Sequence, residues 1–172
     1  LKSKIKDNVL NGVCTSVNAA TGCAAIGDPI YALTKGKRES GSPVYTLGGR
    51  IQGELGPVEL GVQAKRTGPR YVNDQNMGIT QSYDPDGTGP LGVQTIAVYG
   101  AKAPAYTLVD LDARVKMDWA GLGDKVYLQF NLLNAFDKVY VGGFDGQLAT
   151  NTVPNVNIGA PRTFIGSIVV GF

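Results

Sequence analysis

Residues 109–119 read VDLDARVKMDW and residues 126–132 read VYLQFNL, so apolar and polar side chains alternate through both stretches. Successive side chains of a β-strand point to opposite faces, and a period of two therefore predicts strands with one apolar and one polar face. The glycine-containing segment 121–124 predicts a tight turn between them. Together the two stretches predict an antiparallel hairpin.

The same alternation predicts a second hairpin earlier in the chain. Residues 45–55 and residues 58–65 alternate in the same way on either side of Gly56-Pro57. Proline cannot continue a strand ladder and glycine relaxes a turn, so the chain is expected to reverse there.

Two further segments predict single strands at the ends of the chain. Residues 162–172 predict a final strand that ends on Phe172, and residues 1–9 read as the middle of an earlier strand. Because the chain opens on Leu1 within that strand, we expect it to begin partway through a larger protein. The sequence thus predicts an all-β, antiparallel fold with about six strands.

Long polar segments separate these strands, at about residues 11–42, 72–104 and 139–160. Short turns and long connections alternate, so all the long connections should leave one edge of the sheet. Compact soluble domains seldom contain such long loops without internal structure, whereas outer-membrane β-barrels combine short periplasmic turns with long extracellular loops. The pattern favours a transmembrane β-barrel over a soluble β-sandwich, in which the apolar face would be packed inward.

The predicted polar faces carry charges of both signs. In a barrel these side chains would face a polar lumen and form a ladder of ion pairs, whereas in a sandwich they would form a solvated face. The residues predicted to face the lumen are Arg50, Glu54, Asp110, Asp112, Arg114 and Lys116.

Composition excludes several classes of function. The net charge is only +2 and no block of Lys and Arg is present, so nucleic acid is not an expected partner. Histidine is absent, which rules out His-dependent nucleophile sites. We therefore expect neither an enzyme, nor a metal site, nor a cofactor.

Cys14 and Cys23 lie close together in a polar stretch of the chain. In an oxidising compartment such a pair would close a small disulfide loop. The alternative is two unpaired thiols.

Two short motifs near residue 87 match ligand-binding patterns only in form. Residues 87–92 read GTGPLG, but Pro90 interrupts the motif and no helical pattern follows, as a dinucleotide site requires. Residues 84–87 read DPDG, without the further ligands of a calcium loop. Both motifs predict loops.

Three segments resemble the C-terminal end of TonB-dependent outer-membrane receptors. They are YTLVDL at 106–111, FNLLNAFDKVY at 130–140 and GAPRTF at 159–164, and the terminal Phe172 follows them. In that family an "NLfDk-Y" segment closes the penultimate strand and a "G-PR" segment opens the last one. Segments 41–43 (GSP) and 65–71 (KRTGPRY) are also similar, so the resemblance covers about residues 41–172.

The resemblance implies a 22-stranded barrel around a plug, of which residues 1–172 would be the C-terminal part, in the outer membrane of a Gram-negative bacterium. Such receptors take up ferric siderophores, cobalamin or carbohydrates, and Tyr83, Tyr99 and Phe144 in the loops are expected to help capture the small-molecule ligand. The implied partners are outer-membrane lipid, the protein's own plug domain, the TonB complex through an N-terminal region, and the barrel assembly machinery, for which Phe172 would be the signal. A passive porin-like barrel is the first alternative, and a soluble β-sandwich binding module is the second.

Overall fold

The computed structural model describes residues 3–18, 22–85, 87, 93–122, 125–144 and 155–171. These residues form β-strands joined by turns and one short 3-10 turn, Asp118–Ala120. The strands are β1 (Val9–Val13), β2 (Pro29–Ala32), β3 (Thr46–Leu55), β4 (Val58–Thr67), β5 (Arg70–Tyr71), β6 (Ile79–Tyr83), β7 (Gln94–Tyr99), β8 (Lys102–Ala103), β9 (Tyr106–Lys116), β10 (Val126–Leu133), β11 (Val141–Phe144), β12 (Val156–Ile158) and β13 (Thr163–Val170).

The chain divides into two compact units. The first comprises Leu1–Val44, Pro69–Pro104 and Gly143–Asn157, and the second comprises Tyr45–Gly68, Ala105–Gly142 and Ile158–Phe172. The second unit is a single antiparallel sheet with the strand order β13-β10-β9-β4-β3, so its strands lie side by side in the order in which the chain forms them. The prediction of an all-β, antiparallel fold is confirmed.

The register of this sheet separates apolar from polar side chains. Ile51 pairs with Val62 and Val62 with Leu111, and Leu132 pairs with Leu111 and Phe164, so one apolar row crosses all five strands. The row lies at mid-length in β3, β4 and β9 and near one end of β10 and β13. The described residues leave much of this apolar face uncovered: Ile51 is 81% exposed, Phe164 67% and Ile168 70%. The opposite face of the same strands carries the charged side chains, with the exception of Arg66 on β4.

The connections from β4 to β9 and from β10 to β13 are long, whereas short turns join β3 to β4 and β9 to β10. In an antiparallel sheet of this order, the long connections begin and end at one end of the strands. We call this the loop end of the sheet, and the opposite one the turn end.

The first unit consists of short strand pairs, one before β3 and two within the β4–β9 connection. They are β1 with β2, β5 with β8, and β6 with β7. Val72, Ile79 and Ala103 are fully buried and form a small apolar core. Cys14 and Cys23 form a disulfide, which resolves the two alternatives left by the sequence.

The structure corrects the first predicted strand. Residues 3–8 are not a strand, and Val9–Val13 pairs with β2 rather than with the five-stranded sheet. Side chains compete here with a strand ladder: Asn8 Oδ1 accepts hydrogen bonds from the N–H groups of Thr34 (3.1 Å) and Lys35 (3.0 Å). Leu1 and Lys2 lie outside the described residues.

The structure also shifts β9 by three residues toward the N-terminus, from the predicted residues 109–119 to Tyr106–Lys116, with no change in length. Its strand ends at Lys116 rather than at Trp119, because Asp118–Ala120 forms a 3-10 turn that ends on Gly121 in a left-handed conformation (φ 73°). Trp119 is therefore not part of the strand whose apolar face it was predicted to extend. Among the described residues, no helix has the length and hydropathy needed to cross a bilayer.

Candidate functional site

An ion pair on the polar face joins two strands that are not neighbours. Arg50 on β3 donates from Nη1 and Nη2 to the two carboxylate oxygens of Asp112 on β9, each at 2.8 Å, and so crosses the intervening strand β4. Gly61 lies beneath this bridge, where a Cβ atom would be 2.6 Å from both oxygens of Asp112. The absence of a side chain at Gly61 therefore makes this bidentate contact possible.

Two further ion pairs lie on the same face. Arg114 Nη1 is 3.4 Å from Glu59 Oε2, and its guanidinium carbon lies 4.6 Å from the centre of the Tyr127 ring. Lys116 Nζ lies 3.9 Å from Glu54 Oε1 in a largely exposed pair. The Arg50–Asp112 and Arg114–Glu59 pairs border a polar cavity of about 280 Å³. The cavity is lined by Arg50, Gln52, Glu59, Asp112, Arg114, Gln129 and Asn131.

These contacts define what the polar face can do chemically. The two arginines and two carboxylates of the cavity balance in charge, and the amides of Gln129 and Asn131 add hydrogen-bonding groups. Within the described part of the chain, no three His, Cys, Asp or Glu side chains are grouped as metal ligands. The cavity therefore suits contact with water or with a polar partner of mixed charge.

The structure brings together five of the six residues predicted to face a lumen. Arg50, Glu54, Asp112, Arg114 and Lys116 contribute to the three ion pairs. Asp110 has another role, because its Oδ1 accepts a hydrogen bond from the Asn134 N–H at 2.8 Å. That the polar face lines a lumen stays a prediction.

Two of the three aromatic residues predicted to capture ligand lie together. The Tyr99 and Phe144 rings meet edge to face with their centres 5.9 Å apart. Tyr83 lies at the other end of the β6–β7 hairpin, where it pairs with Gln94 while Tyr99 pairs with Ile79. The structure thus joins Tyr99 with Phe144 but not with Tyr83, and a ligand-binding role for all three stays a prediction. Phe172, the predicted assembly signal, lies outside the described residues.

The sequence reasoning assigned no role to Asn134, which organises the turn after β10. Asn134 is 4% exposed and has a left-handed backbone (φ 50°). Its Nδ2 donates to the carbonyl oxygens of Lys138 (3.0 Å) and Ala160 (3.1 Å), and its Oδ1 accepts from the Lys138 N–H (2.9 Å). An asparagine placed just after an alternating strand is the signal that could have identified this turn.

A second contact joins the same two segments of chain. The Arg162 N–H donates to Asp137 Oδ1 at 2.9 Å. The Tyr140 ring lies where a Cβ atom at residue 159 would be, so only glycine fits there, and this ring stacks on Tyr106 with centres 4.2 Å apart. The three segments that resemble TonB-dependent receptors are therefore packed and hydrogen-bonded to one another.

Comparison with known proteins gives structural matches only. No protein-family model matches the chain, and no curated protein does. The structure is similar to part of BauA, the ferric preacinetobactin receptor of Acinetobacter baumannii, with 18% sequence identity over 91% of this chain and 17% of that chain, at a TM-score of 0.46. It is also similar to part of a chain in the FpvAI–pyocin S2 complex, with 20% identity over 83% of this chain and 14% of that chain, at a TM-score of 0.43. BauA and FpvA are TonB-dependent receptors, and this chain spans about a sixth of the length of the structures it matches.

Proposed function

We propose that this chain is part of a receptor in the outer membrane of a Gram-negative bacterium, which takes up a scarce ligand with energy supplied through TonB. The observation that carries the proposal is the two-faced sheet, in which an uncovered apolar face lies opposite a face of ion pairs. Under this proposal the apolar face contacts lipid, and the polar face contacts the lumen and a plug domain.

The dimensions of the strands support a membrane location. β3 and β4 each have 10 residues and β9 has 11, and a tilted strand needs about 9–11 residues to cross a bilayer. Apolar side chains repeat on one face of these strands up to Arg66 on β4 and Thr107 on β9, which lie at the loop end. In water, a contiguous apolar patch of this kind would favour aggregation, whereas lipid would cover it.

The long connections support a role in capturing ligand. They leave the loop end of the sheet, and the described part of the β4–β9 connection contains two strand pairs, β5 with β8 and β6 with β7. The segment before β3 contains the β1–β2 pair and the disulfide. Aromatic rings such as those of Tyr99 and Phe144 provide large apolar contact surfaces, to which the Tyr99 hydroxyl adds a polar group. Ferric siderophores, cobalamin and carbohydrates are the ligand classes that we propose.

Uptake into cells tests this function. Cells with and without the whole protein would be given a radiolabelled ferric siderophore, cobalamin or oligosaccharide, in the presence or absence of a protonophore. We expect one class to accumulate only in cells that contain the protein, and accumulation to stop when the protonophore collapses the proton gradient.

A passive porin-like barrel gives a different result in the same experiment. Its transport would continue at an unchanged initial rate after the protonophore is added, and would rise in proportion to ligand concentration. Such a result would support the alternative and exclude energised uptake.

The Tyr99→Ala and Phe144→Ala variants should lower the affinity of an energised receptor for its ligand without lowering the amount of protein in the membrane.

A further inference from the structure

The apolar face of the sheet carries one charged side chain within its five described strands. Arg66 lies near the end of β4, where it pairs with Leu47 on β3 and with Thr107 on β9. These three side chains point to the same face as Val62 and Ile51, because residues two apart on a strand share a face. Arg66 therefore lies at the loop end of an otherwise uncharged surface.

Two neutral hydroxyl groups hold the guanidinium of Arg66. Its Nε donates to Tyr45 Oη at 3.2 Å, and its Nη1 donates to Thr107 Oγ1 at 3.1 Å. Tyr45 is itself fixed against Gly68, where a Cβ atom would lie 2.8 Å from the ring. Since Tyr45, Arg66 and Thr107 are all exposed, the guanidinium is held in a defined position and remains accessible.

The cationic side chains of the two faces differ in whether a carboxylate lies beside them. On the polar face, Arg50, Arg114 and Lys116 each contact a carboxylate. Among the residues that the structure describes, the ion pairs do not include Arg66. A cation beside lipid is costly unless its charge is neutralised or reaches the interface, so the surroundings should supply the missing anion.

The position of Arg66 along β4 matches the depth of a lipid headgroup. Arg66 lies four residues from Val62, which belongs to the middle apolar row, and this spacing corresponds to about 14 Å along a strand. With a strand tilt of about 45°, the depth difference is roughly 10 Å, close to half of the apolar band of about 25 Å that surrounds outer-membrane barrels.

We propose that Arg66, positioned by Tyr45 and Thr107, binds the phosphate group of an anionic lipid at the loop end of the apolar face. The planar guanidinium can donate two parallel hydrogen bonds to phosphate oxygens, which makes arginine well suited to this group. The inference rests on the proposed function, because it requires the apolar face to lie in a bilayer.

Lipid binding by the whole protein in detergent micelles tests this site. Native mass spectrometry would measure the affinity for phosphatidylglycerol, and for monogalactosyldiacylglycerol as a lipid without phosphate. We expect Arg66→Gln to weaken phosphatidylglycerol binding about fivefold, as loss of one basic residue at a membrane surface does, and to leave the galactolipid unaffected. Arg66→Lys should restore part of the affinity, and Tyr45→Phe or Thr107→Val should weaken binding less than Arg66→Gln does.

Lys65→Gln is the matched control, because it removes the same charge from the next residue, which faces the opposite side of the sheet. It should leave phosphatidylglycerol affinity unchanged, and millimolar inorganic phosphate should not displace the lipid. The site is excluded if Arg66→Gln has no effect, if Lys65→Gln has an equal effect, or if inorganic phosphate competes as well as the lipid. The two proposals can fail separately: a protein that inserts into vesicles without this preference disproves only the lipid site, whereas failure to insert disproves both.

Discussion

Gly61 lies on β4 directly beneath the guanidinium of Arg50 and the carboxylate of Asp112. We expect Gly61→Ala to displace this ion pair and to lower the free energy of unfolding by about 1 kcal/mol, since half-exposed pairs contribute little more. The cost should stay small because the new methyl group meets the terminal atoms of the Arg50 and Asp112 side chains and no backbone atom among its three nearest neighbours. Urea unfolding of the whole protein in lipid vesicles measures it.

A double-mutant cycle tests whether the effect of Gly61→Ala passes through Arg50. Arg50→Gln should destabilise the wild type but should have almost no effect in the Gly61→Ala background. Gly53→Ala is the control glycine, because nothing lies within 4 Å of the Cβ position there, and it should be neutral. Equal effects of Arg50→Gln in both backgrounds would show that the Arg50–Asp112 ion pair does not depend on the absence of a side chain at Gly61.

Asn134 provides a second prediction at this scale. Asn134→Ala should lower the free energy of unfolding by about 2–4 kcal/mol, because it removes three buried hydrogen bonds and leaves a residue with a side chain at positive φ. Asn134→Gly loses the same hydrogen bonds, but glycine adopts the positive φ without strain. It should therefore be less destabilising than Asn134→Ala by about 1 kcal/mol. If both variants unfold like the wild type in urea, the turn does not depend on this amide.

At the scale of elements, strict alternation predicted the strands of the five-stranded sheet closely. The hairpin predicted at 45–55 and 58–65 is observed as Thr46–Leu55 and Val58–Thr67, and the strand predicted at 126–132 is observed as Val126–Leu133. These strands separate two different surroundings, so each position is constrained to be apolar or polar, and that constraint is visible in the sequence.

Other elements could not be predicted because no such constraint acts on them. Trp119 continues the alternation, yet the chain has already turned, and the pattern does not record the left-handed Gly121 that ends the turn. The hairpins β1–β2 and β6–β7 are short and largely exposed, so they lack a consistent apolar face. Residues 1–9 alternate weakly, and hydrogen bonds to the Asn8 side chain outweigh that pattern.

β10 offers a matched pair of substitutions on the two faces of the sheet. Leu132 pairs with Leu111 and Phe164 in the apolar row, whereas its neighbour Asn131 pairs with Asp112 on the polar face. In a bilayer, Leu132→Arg should cost about 2–4 kcal/mol, while Asn131→Arg should be nearly neutral because it faces a carboxylate. Equilibrium unfolding in vesicles compares the two, and equal costs would argue against a lipid-facing apolar row.

At the scale of the whole molecule, the sequence predicted the charge arrangement better than the contacts. It placed Arg50 and Asp112 on the same face, but it could not show that they pair across β4, because that requires the register of three strands and the gap at Gly61. It named Tyr99 and Phe144 separately, and their contact depends on how two connections fold. Contacts of this kind arise from tertiary structure and leave no spacing signal.

The central claim is that the apolar face of the five-stranded sheet contacts lipid. Nitroxide labels attached in turn to residues 126–133 of the reconstituted whole protein test it most directly, because collisions with oxygen report lipid and collisions with a nickel chelate report water. The native cysteines form a disulfide, so the introduced thiol is the one that reacts with the label. We predict high oxygen and low nickel accessibility at positions 126, 128, 130 and 132, and the reverse of this preference at the positions between them. An absence of this alternation, or nickel access at all of the even positions, would contradict the account.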